Sequence, residues 1–450
     1  MMKFYERLVN KKNQSINLSP PSLLALGFLS FILTGTLLLK LPMSHHGDIG
    51  WLEALFTATS AVTITGLSMV NIGEAYTTFG QFIIMLLIQC GGLGFMTFAI
   101  LAALSLSPKL GIRQQVMAQE SIGQTSLARA SFTMKAVLFY SLFFEGIGTF
   151  ILTFNWLQYY EFKDALFYAA FYSISAFNNG GFSLFPESLM SFSGQYAITL
   201  TISLLYIIGG IGFVVLMDIK RNMQWKKLST NSKLILSTIA ALNLAAFILI
   251  WSIEASNPLT LAPMSVGDQA LNAWFHATVP RSSGFNSIEM ANMRDPSTLV
   301  TMLLMFIGGG SLSTAGGIKV GTFIIVVLSV ISFLRRADEV TIFRHSIPTV
   351  ATYKALAVIS ITAMLIMSGF FTLLLLEPDK PFLDLIFEAV SAACTVGLSR
   401  GVTSELQPAS LYILMMLMFT GRLGPLTLAY LIATPKKSRL SHPNAEIQVG

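Results

Sequence analysis

Four short segments of the chain share a spacing of residues that could bind a dehydrated cation. In each segment an aromatic residue stands ten positions before a glycine, and Leu or Phe follows that glycine. The glycines are Gly66, Gly181, Gly284 and Gly397, separated by 115, 103 and 113 residues. Glycine reaches backbone angles that point successive carbonyl groups inward, and it has no side chain to narrow a pore. Rings of backbone carbonyls can replace the hydration shell of a monovalent cation.

The residues that end each segment are the candidate ion ligands. Hydroxyl groups beside the glycines add oxygen ligands or hold the loop, and no ring of acidic residues is present, which argues against a filter for divalent ions. We therefore predict a selectivity filter for a monovalent cation. Its candidate residues are Thr63, Ile64, Thr65, Gly66, Asn178, Asn179, Gly180, Gly181, Arg281, Ser282, Ser283, Gly284, Cys394, Thr395, Val396 and Gly397.

Arg281 is the one charged residue in these candidate filter segments, at the position that Thr63, Asn178 and Cys394 hold in the others. A cation beside a cation path is unfavourable unless it points away from the path. We expect Arg281 to hydrogen-bond carbonyl groups behind the filter.

A second glycine-rich run, residues 308–319, interrupts a long apolar stretch. A run of glycines and small polar residues does not form a stable helix in lipid. It is either a kinked helix covered by its neighbours or a mobile loop that serves as a gate across the cytoplasmic half of the pore. Lys319 at its end favours the gate. The candidate gate residues are Gly308, Gly309, Gly310, Ser311, Leu312, Ser313, Thr314, Ala315, Gly316, Gly317 and Lys319.

Arg422 lies in the last apolar stretch, where a buried arginine is costly and therefore indicates a function. Two hypotheses remain open. Arg422 pairs with Glu145, the lone acid in the middle of an apolar stretch, or it forms an electrostatic barrier facing the pore below the filter.

The composition shows what must position these residues. The chain has 450 residues, of which 54% are hydrophobic and 11% charged, against roughly 25% charged in a soluble domain. This excludes a disordered protein, a nucleic-acid binder and an ordinary cytosolic enzyme. A span needs about 20 apolar residues. Eight stretches qualify, namely 21–41, 79–104, 134–157, 196–217, 233–253, 298–333, 351–376 and 410–433.

The charges divide between alternate connections. Most Lys and Arg residues lie in the termini and the even-numbered connections, whereas most acids lie in the odd-numbered ones. The positive-inside rule therefore predicts a multi-pass protein of the cell (inner) membrane with both termini cytoplasmic. The net charge of +6 then reflects topology and requires no acidic partner.

Each odd-numbered connection begins with an apolar stretch too short to span, and a glycine-containing motif recurs in the span that follows. We predict an all-α polytopic membrane protein of four tandem helix–pore loop–helix repeats, in potassium-channel-like fourfold pseudo-symmetry around a central pore. The predicted units are a cytoplasmic segment 1–19, repeat 1 at 20–107 (pore loop 51–67), repeat 2 at 108–222 (pore loop 164–182), repeat 3 at 223–340 (pore loop 268–285, gating loop 308–318), repeat 4 at 341–434 (pore loop 382–398) and a cytoplasmic tail 435–450.

These motifs together resemble the Trk/Ktr/HKT superfamily of potassium transporters, most closely the pore-forming membrane subunits of bacterial Ktr systems, over nearly the whole chain. The resemblance implies potassium uptake, often coupled to or stimulated by sodium, with potassium bound at the four filter glycines and no covalently bound cofactor. It also implies a homodimer with one pore in each protomer, mounted on a cytosolic ring of nucleotide-binding regulatory subunits. In plant relatives a serine at the first filter position goes with sodium selectivity, so Gly66 implies potassium.

Three other functions compete with this hypothesis. A sodium or non-selective monovalent cation channel is the alternative within the same class. An alternating-access carrier for an organic solute would need inverted repeats and a midplane site, whereas these repeats are parallel. An intramembrane enzyme is disfavoured because the five histidines are scattered and no H-E-x-x-H or G-x-S-x-G motif occurs.

Overall fold

The structure is a computed structural model that describes residues 20–106, 127–424 and 427. Most of its elements are helices rich in apolar residues. The predicted terminal segments 1–19 and 435–450 lie outside the described residues. The helices are α1 Pro20–Leu39, α2 Trp51–Thr63, α3 Ile72–Ala75, α4 Thr78–Leu106, α5 Leu127–Trp156, α6 Phe162–Phe177, α7 Tyr196–Ile211, α8 Phe213–Asn222, α9 Thr230–Glu254, α10 Val266–Thr278, α11 Asp295–Phe306, α12 Val320–Leu334, α13 Thr349–Leu376, α14 Phe382–Ala393 and α15 Pro408–Leu423.

Several helices are long and apolar enough to cross a membrane. Within the described part of the chain these are Lys135–Trp156, Thr230–Glu254 and Thr349–Leu376, and α7 with α8 would add a fourth if the bent pair is one span. Shorter apolar helices cover Leu24–Leu39, Thr78–Leu93, Asp295–Phe306, Val320–Leu334 and Pro408–Leu423. Each of the eight predicted stretches overlaps one or two of these elements, most of 425–433 lies outside the described residues, and a count of eight spans stays a prediction.

Four short helices, α2, α6, α10 and α14, fall in the predicted pore loops. Each carries an acid in its first turn, which favours the positive end of the helix dipole; these acids are Glu53, Asp164, Asp268 and Asp384. Ser265 caps α10 by accepting a hydrogen bond from the Asp268 amide at 3.2 Å. Their carboxyl ends are buried and lead directly into the glycine segments.

The short helices are arranged in a cycle. The apolar helix that comes after each of them packs against the next short helix along the chain: α4 against α6, α7 against α10, and α11 against α14. The last helix, α15, packs against the first short helix, α2. Residues far apart in sequence therefore meet around one centre, where the glycine segments begin.

Two features depart from the predicted continuous all-α spans. The stretch 196–217, expected to be one span, bends by 94° between α7 and α8. The bend is at Gly212, whose φ of +106° is a left-handed value, and the Phe213 amide donates to the Leu312 carbonyl at 3.0 Å. A small antiparallel hairpin, β1 Thr341–Ile342 with β2 His345–Ser346, joins α12 to α13.

Candidate ion pathway

The four motif glycines meet in a closed ring. A methyl carbon on Gly66 would lie 3.0 Å from Gly181 Cα, and one on Gly181 would lie 2.9 Å from Gly284 Cα. A methyl carbon on Gly284 would lie 3.3 Å from Gly397 Cα, and one on Gly397 would lie 2.9 Å from Gly66 Cα. Each glycine thus borders the next, and any side chain at these positions would press on a neighbouring segment.

The backbone of the ring follows the same pattern in all four segments. The glycines have φ values of +91°, +68°, +69° and +90° in chain order. The residue two positions earlier is also left-handed in every segment: Ile64 at 56°, Asn179 at 60°, Ser282 at 114° and Thr395 at 49°. Alternation between the two hands turns successive carbonyl groups toward the same side of the chain. Left-handed non-glycine residues cost of order 1–3 kcal/mol each, so the surrounding structure must hold them.

Hydrogen bonds back to the short helices supply that support. The amide before the glycine donates to the carbonyl five residues earlier in three segments: Thr65 to Ser60 at 2.8 Å, Gly180 to Ser175 at 2.6 Å, and Val396 to Ser391 at 2.9 Å. In the third segment Pro280 lies in a short 3-10 turn, Val279–Arg281, and the Ser283 amide bonds to Val279 at 3.0 Å instead. Because the amides are tied back to the helices, carbonyl groups remain available for an ion.

The predicted filter residues are brought together and are almost entirely enclosed. All of them are buried except Gly66, which is partly exposed. The four glycines line one side of a cavity of about 450 Å³, whose wall also includes Glu187, Glu289 and Arg400. Two carboxylates and one guanidinium therefore share this cavity with the glycine ring.

Arg281 lies away from this cavity. It is 8% exposed and lines a small separate cavity with Tyr206, Thr278 and Gly309. We predicted that Arg281 would donate hydrogen bonds to carbonyl groups. For its Nε and Nη1 atoms this prediction was wrong, because both are buried without a hydrogen-bond partner within the described residues. The second half of that expectation, a guanidinium that avoids the glycine ring, agrees with this placement.

The glycine-rich run between α11 and α12 packs directly against the candidate filter. Asn179 Nδ2 donates to Thr314 Oγ1 at 2.6 Å, and Thr314 Oγ1 donates to the Phe177 carbonyl at 3.2 Å. The Gly316 amide donates to Ser282 Oγ at 2.8 Å. The second and third filter segments therefore each contact the loop through a polar side chain.

The two ends of this loop are joined to each other. Ile307 and Ile318 form a parallel bridge, and the Gly308 amide donates to the Ile318 carbonyl at 2.9 Å. The Val320 amide donates to the Gly309 carbonyl at 2.9 Å. The interruption predicted from the sequence is thus a compact loop between α11 and α12, whose two ends are hydrogen-bonded to each other.

Two cations hold the tip of the loop. Arg422 donates from Nη1 to the Thr314 carbonyl at 2.8 Å and from Nη2 to the Gly91 carbonyl at 3.2 Å. Lys319 Nζ donates to the Ala315 carbonyl at 2.6 Å. The hypothesis that Arg422 pairs with Glu145 was wrong, because the Glu145 carboxylate bonds to Gln89, Ser141 and Asn178.

Arg400 is a structural residue of the site that sequence reasoning missed. Its Nε donates to Asp384 Oδ1 at 2.6 Å, and its Nη1 donates to the Met290 carbonyl at 3.1 Å and to Thr298 Oγ1 at 3.0 Å. It therefore ties the fourth segment to the third. Its position three residues after Gly397 was the available signal, but charge counting placed it only on a face of the membrane.

The cyclic packing, the glycine ring and the cation-held loop define a membrane protein built to pass cations. A family model described as "TrkH: Cation transport protein" matches residues 24–441, so the chain belongs to this family. The resemblance inferred from the motifs is confirmed, and the members of this family are transport proteins rather than enzymes.

Similar proteins narrow the comparison further. The chain is 42% identical to Ktr system potassium uptake protein B of Bacillus subtilis (strain 168), over 97% of this chain and 98% of that protein. It is 36% identical to the protein of the same name from Vibrio alginolyticus, over 100% of both chains. Potassium/sodium uptake protein NtpJ of Enterococcus hirae is 32% identical over 98% of this chain and 100% of that protein.

The fold also has a solved counterpart. The crystal structure of the potassium transporter TrkH from Vibrio parahaemolyticus matches with a TM-score of 0.73 at 21% identity, covering 93% of this chain and 86% of that chain. At this identity the likeness concerns the fold alone.

Proposed function

We propose that this chain takes up potassium across the cell membrane through a filter formed by the four glycine segments. The observation that carries the proposal is the closed ring of Gly66, Gly181, Gly284 and Gly397 with its alternating backbone. A ring of carbonyl groups suits a monovalent cation. The names of the relatives in Bacillus and Vibrio, potassium uptake protein B, support potassium as that cation.

The fourfold pseudo-symmetry belongs to this proposal. It is supported by the cycle in which the apolar helix after the short helix of each unit packs against the short helix of the next unit, with α15 returning to α2. In this arrangement each filter segment would come from one unit, and the pore would run along the shared axis. The carboxyl ends of the four short helices would point toward that axis, where their dipoles favour a cation.

Sodium is the second ion of the proposal, as a coupled or stimulating ion. The relative from Enterococcus hirae, named a potassium/sodium uptake protein, favours this part. A sodium or non-selective cation channel remains the alternative function. The two differ in whether uptake of potassium depends on sodium or competes with it.

The loop at 308–319 would act as the gate. Arg422, Asn179 and Ser282 each hydrogen-bond to it beside the filter, so an ion leaving the ring would meet the loop before it reached the other side. Opening would require these bonds to break together. A cytosolic regulatory subunit, implied by membership of a Ktr-type system, would supply the free energy; the nucleotide-binding ring and the homodimer rest on the family resemblance.

The experiment that tests the proposal is uptake of isotopic rubidium or potassium by the purified chain in liposomes, with and without sodium. Potassium-selective uptake that sodium stimulates is the expected result. Equal uptake of sodium and potassium would favour the non-selective channel. Absence of ion uptake by correctly inserted protein, with its regulatory partner added, would contradict the proposal.

A further inference from the structure

Glu145 is a buried acid inside the apolar helix α5, with 4% of its surface exposed. Its Oε1 accepts hydrogen bonds from Ser141 Oγ at 2.7 Å and Asn178 Nδ2 at 3.0 Å, and its Oε2 accepts one from Gln89 Nε2 at 3.0 Å. No salt bridge to it is found among the described residues. An acid at this depth is costly unless it serves a function.

The partners of Glu145 also bond to each other. Asn178 Nδ2 also donates to Gln89 Oε1 at 2.7 Å, so its two hydrogens serve the two neighbouring corners, and the Ile174 carbonyl lies 3.0 Å from the same nitrogen. Three side chains, from α4, α5 and the end of α6, thus form a closed triangle of hydrogen bonds. The triangle joins two long helices to the first residue of the second filter segment.

The bonding pattern of this triangle explains why residue 145 is an acid. Asn178 presents the same nitrogen to both neighbours, so each neighbour must face it with an oxygen. Gln89 then has only its nitrogen left for Glu145. The third corner must therefore present oxygen in both directions, which a carboxylate does and an amide does not. A glutamine at 145 would bring two like atoms together at one edge of the triangle, either two donor nitrogens or two acceptor oxygens, whichever way the three amides turned.

The space around Asn178 is restricted from the other side as well. Its Oδ1 is buried without a hydrogen-bond partner in the described structure and lies against Gly92, where a methyl carbon would overlap it. The next residue, left-handed Asn179, accepts a bond from Ser283 Oγ at 2.9 Å in the third filter segment. A shift of Asn178 would therefore be transmitted to two of the four filter segments.

We infer that Glu145 is a positioning residue for ion selectivity. It holds the second filter segment in place through Asn178 and Gln89 and does not itself contact the ion. This inference rests on the proposed function, because it assumes that the glycine ring selects the ion. According to this inference, Glu145 supports the geometry of the filter and does not take part in gating.

The test begins with Glu145→Gln in the full chain, reconstituted in liposomes and assayed for uptake of potassium and sodium separately. Loss of a bond to a charged group in a dry site weakens the triangle enough to lower the potassium-over-sodium preference by roughly tenfold. The preference is measured as the ratio of the two values of kcat/KM. A purely structural role would lower the amount of assembled protein and leave this ratio unchanged.

A double variant supplies the rescue. In Gln89→Glu with Glu145→Gln, the carboxylate moves to the other corner, so both of its oxygens face donors and the amide at 145 can face Asn178 with its oxygen. The double variant should regain the preference of the unaltered chain. Gln89→Glu alone places two carboxylates against each other and should lose it.

Glu377→Gln is the matched control. Glu377 is 5% exposed, and a single oxygen, Oε1, accepts from the Gln407 amide at 2.7 Å and from Ser410 Oγ at 2.7 Å. An amide oxygen can accept both bonds, so this variant should select ions like the unaltered chain.

Three outcomes would overturn the inference. They are an unchanged ion preference in Glu145→Gln, a double variant that assembles but does not regain the preference, and a Glu377→Gln variant that loses it equally. If Glu145→Gln does not assemble, the double variant alone decides, because it keeps every bond of the triangle. An unaltered chain that does not prefer potassium would instead contradict the proposed function, and the inference with it.

Discussion

Equivalent glycines around the proposed filter differ in the space that surrounds them. Gly91 and Gly92 follow the first segment, and Gly209 and Gly210 follow the second. A methyl carbon on Gly92 would overlap Asn178 Oδ1, whereas the nearest atoms to one on Gly210 would be 4.0 Å away. The repeated motif thus has different physical reasons in different copies.

The first prediction compares these two glycines. Gly92→Ala should push Asn178 out of the hydrogen-bonded triangle and lower the potassium-over-sodium uptake ratio several-fold, because the added methyl group has no space. Gly210→Ala should leave the ratio unchanged, since the same methyl group meets only ordinary contacts. Equal ratios in the two variants, measured by isotope uptake, would contradict the packing described here.

Single residues were also where sequence reasoning reached its limit. The four glycines could be found because their spacing repeats, and their residue type permits the left-handed backbone that they adopt. The partners of Glu145 and Arg422 could not, because a buried charge in a membrane can be satisfied by amides and carbonyls as well as by an opposite charge. Both residues bond to such neutral groups.

At the scale of elements, the loop at 308–319 is a packed unit with defined partners. Thr314 joins it to the second filter segment through Asn179 and Phe177, and Arg422 holds its backbone. Ser311 lies in the same loop with an exposed side chain. The loop therefore contains one hydrogen-bonded hydroxyl, that of Thr314, and one exposed hydroxyl, that of Ser311, whose removal can be compared.

The second prediction uses this pair. Thr314→Val removes two hydrogen bonds with little change of shape, each worth about 0.5–1.5 kcal/mol, so the closed position of the loop should weaken. Basal potassium flux without a regulatory partner should rise several-fold. Ser311→Ala should leave it unchanged. A lower or equal flux in Thr314→Val, at normal insertion, would count against the gate.

Elements were predictable where residues close in sequence determine them, and were not predictable where contacts between distant residues determine them. The interruption between α11 and α12 was predictable because five glycines and several hydroxyl residues cannot continue a helix in lipid. The 94° bend at Gly212 was not. It depends on the Phe213–Leu312 hydrogen bond, a contact between two distant parts of the chain that apolar periodicity does not report.

At the scale of the whole molecule, the third and fourth units are closed at the proposed outer end. Glu254, at the end of α9, accepts a bond from the Arg294 amide at 3.0 Å where α11 begins. Glu377, just after α13, accepts one from the Gln407 amide at 2.7 Å where α15 begins. In both units the helix before the short helix is thus fastened to the helix after it, at connections that the charge pattern assigns to the outer face.

The third prediction concerns the orientation of that face. Cysteine introduced as Asp379→Cys should react with a membrane-impermeant maleimide on intact cells, because it is exposed in a connection assigned to the outside. Trp225→Cys, half exposed between α8 and α9, should react only after the membrane is permeabilised. The unaltered chain, which retains Cys90 and Cys394, is the control. The reverse pattern would invert the proposed topology.

The central claim is that potassium passes through the ring of four glycines, and relative ion uptake by Gly66→Ser tests it most directly. Gly66 has a φ of +91°, and a side-chain carbon there would lie 2.6 Å from the Gly180 carbonyl oxygen. Gly401→Ser is the matched control, because Gly401 has a φ of +95° with open space around it. We predict that Gly66→Ser loses most of its preference for potassium over sodium, while Gly401→Ser keeps it. An unchanged preference in Gly66→Ser, in cells that lack other potassium uptake, would contradict the account.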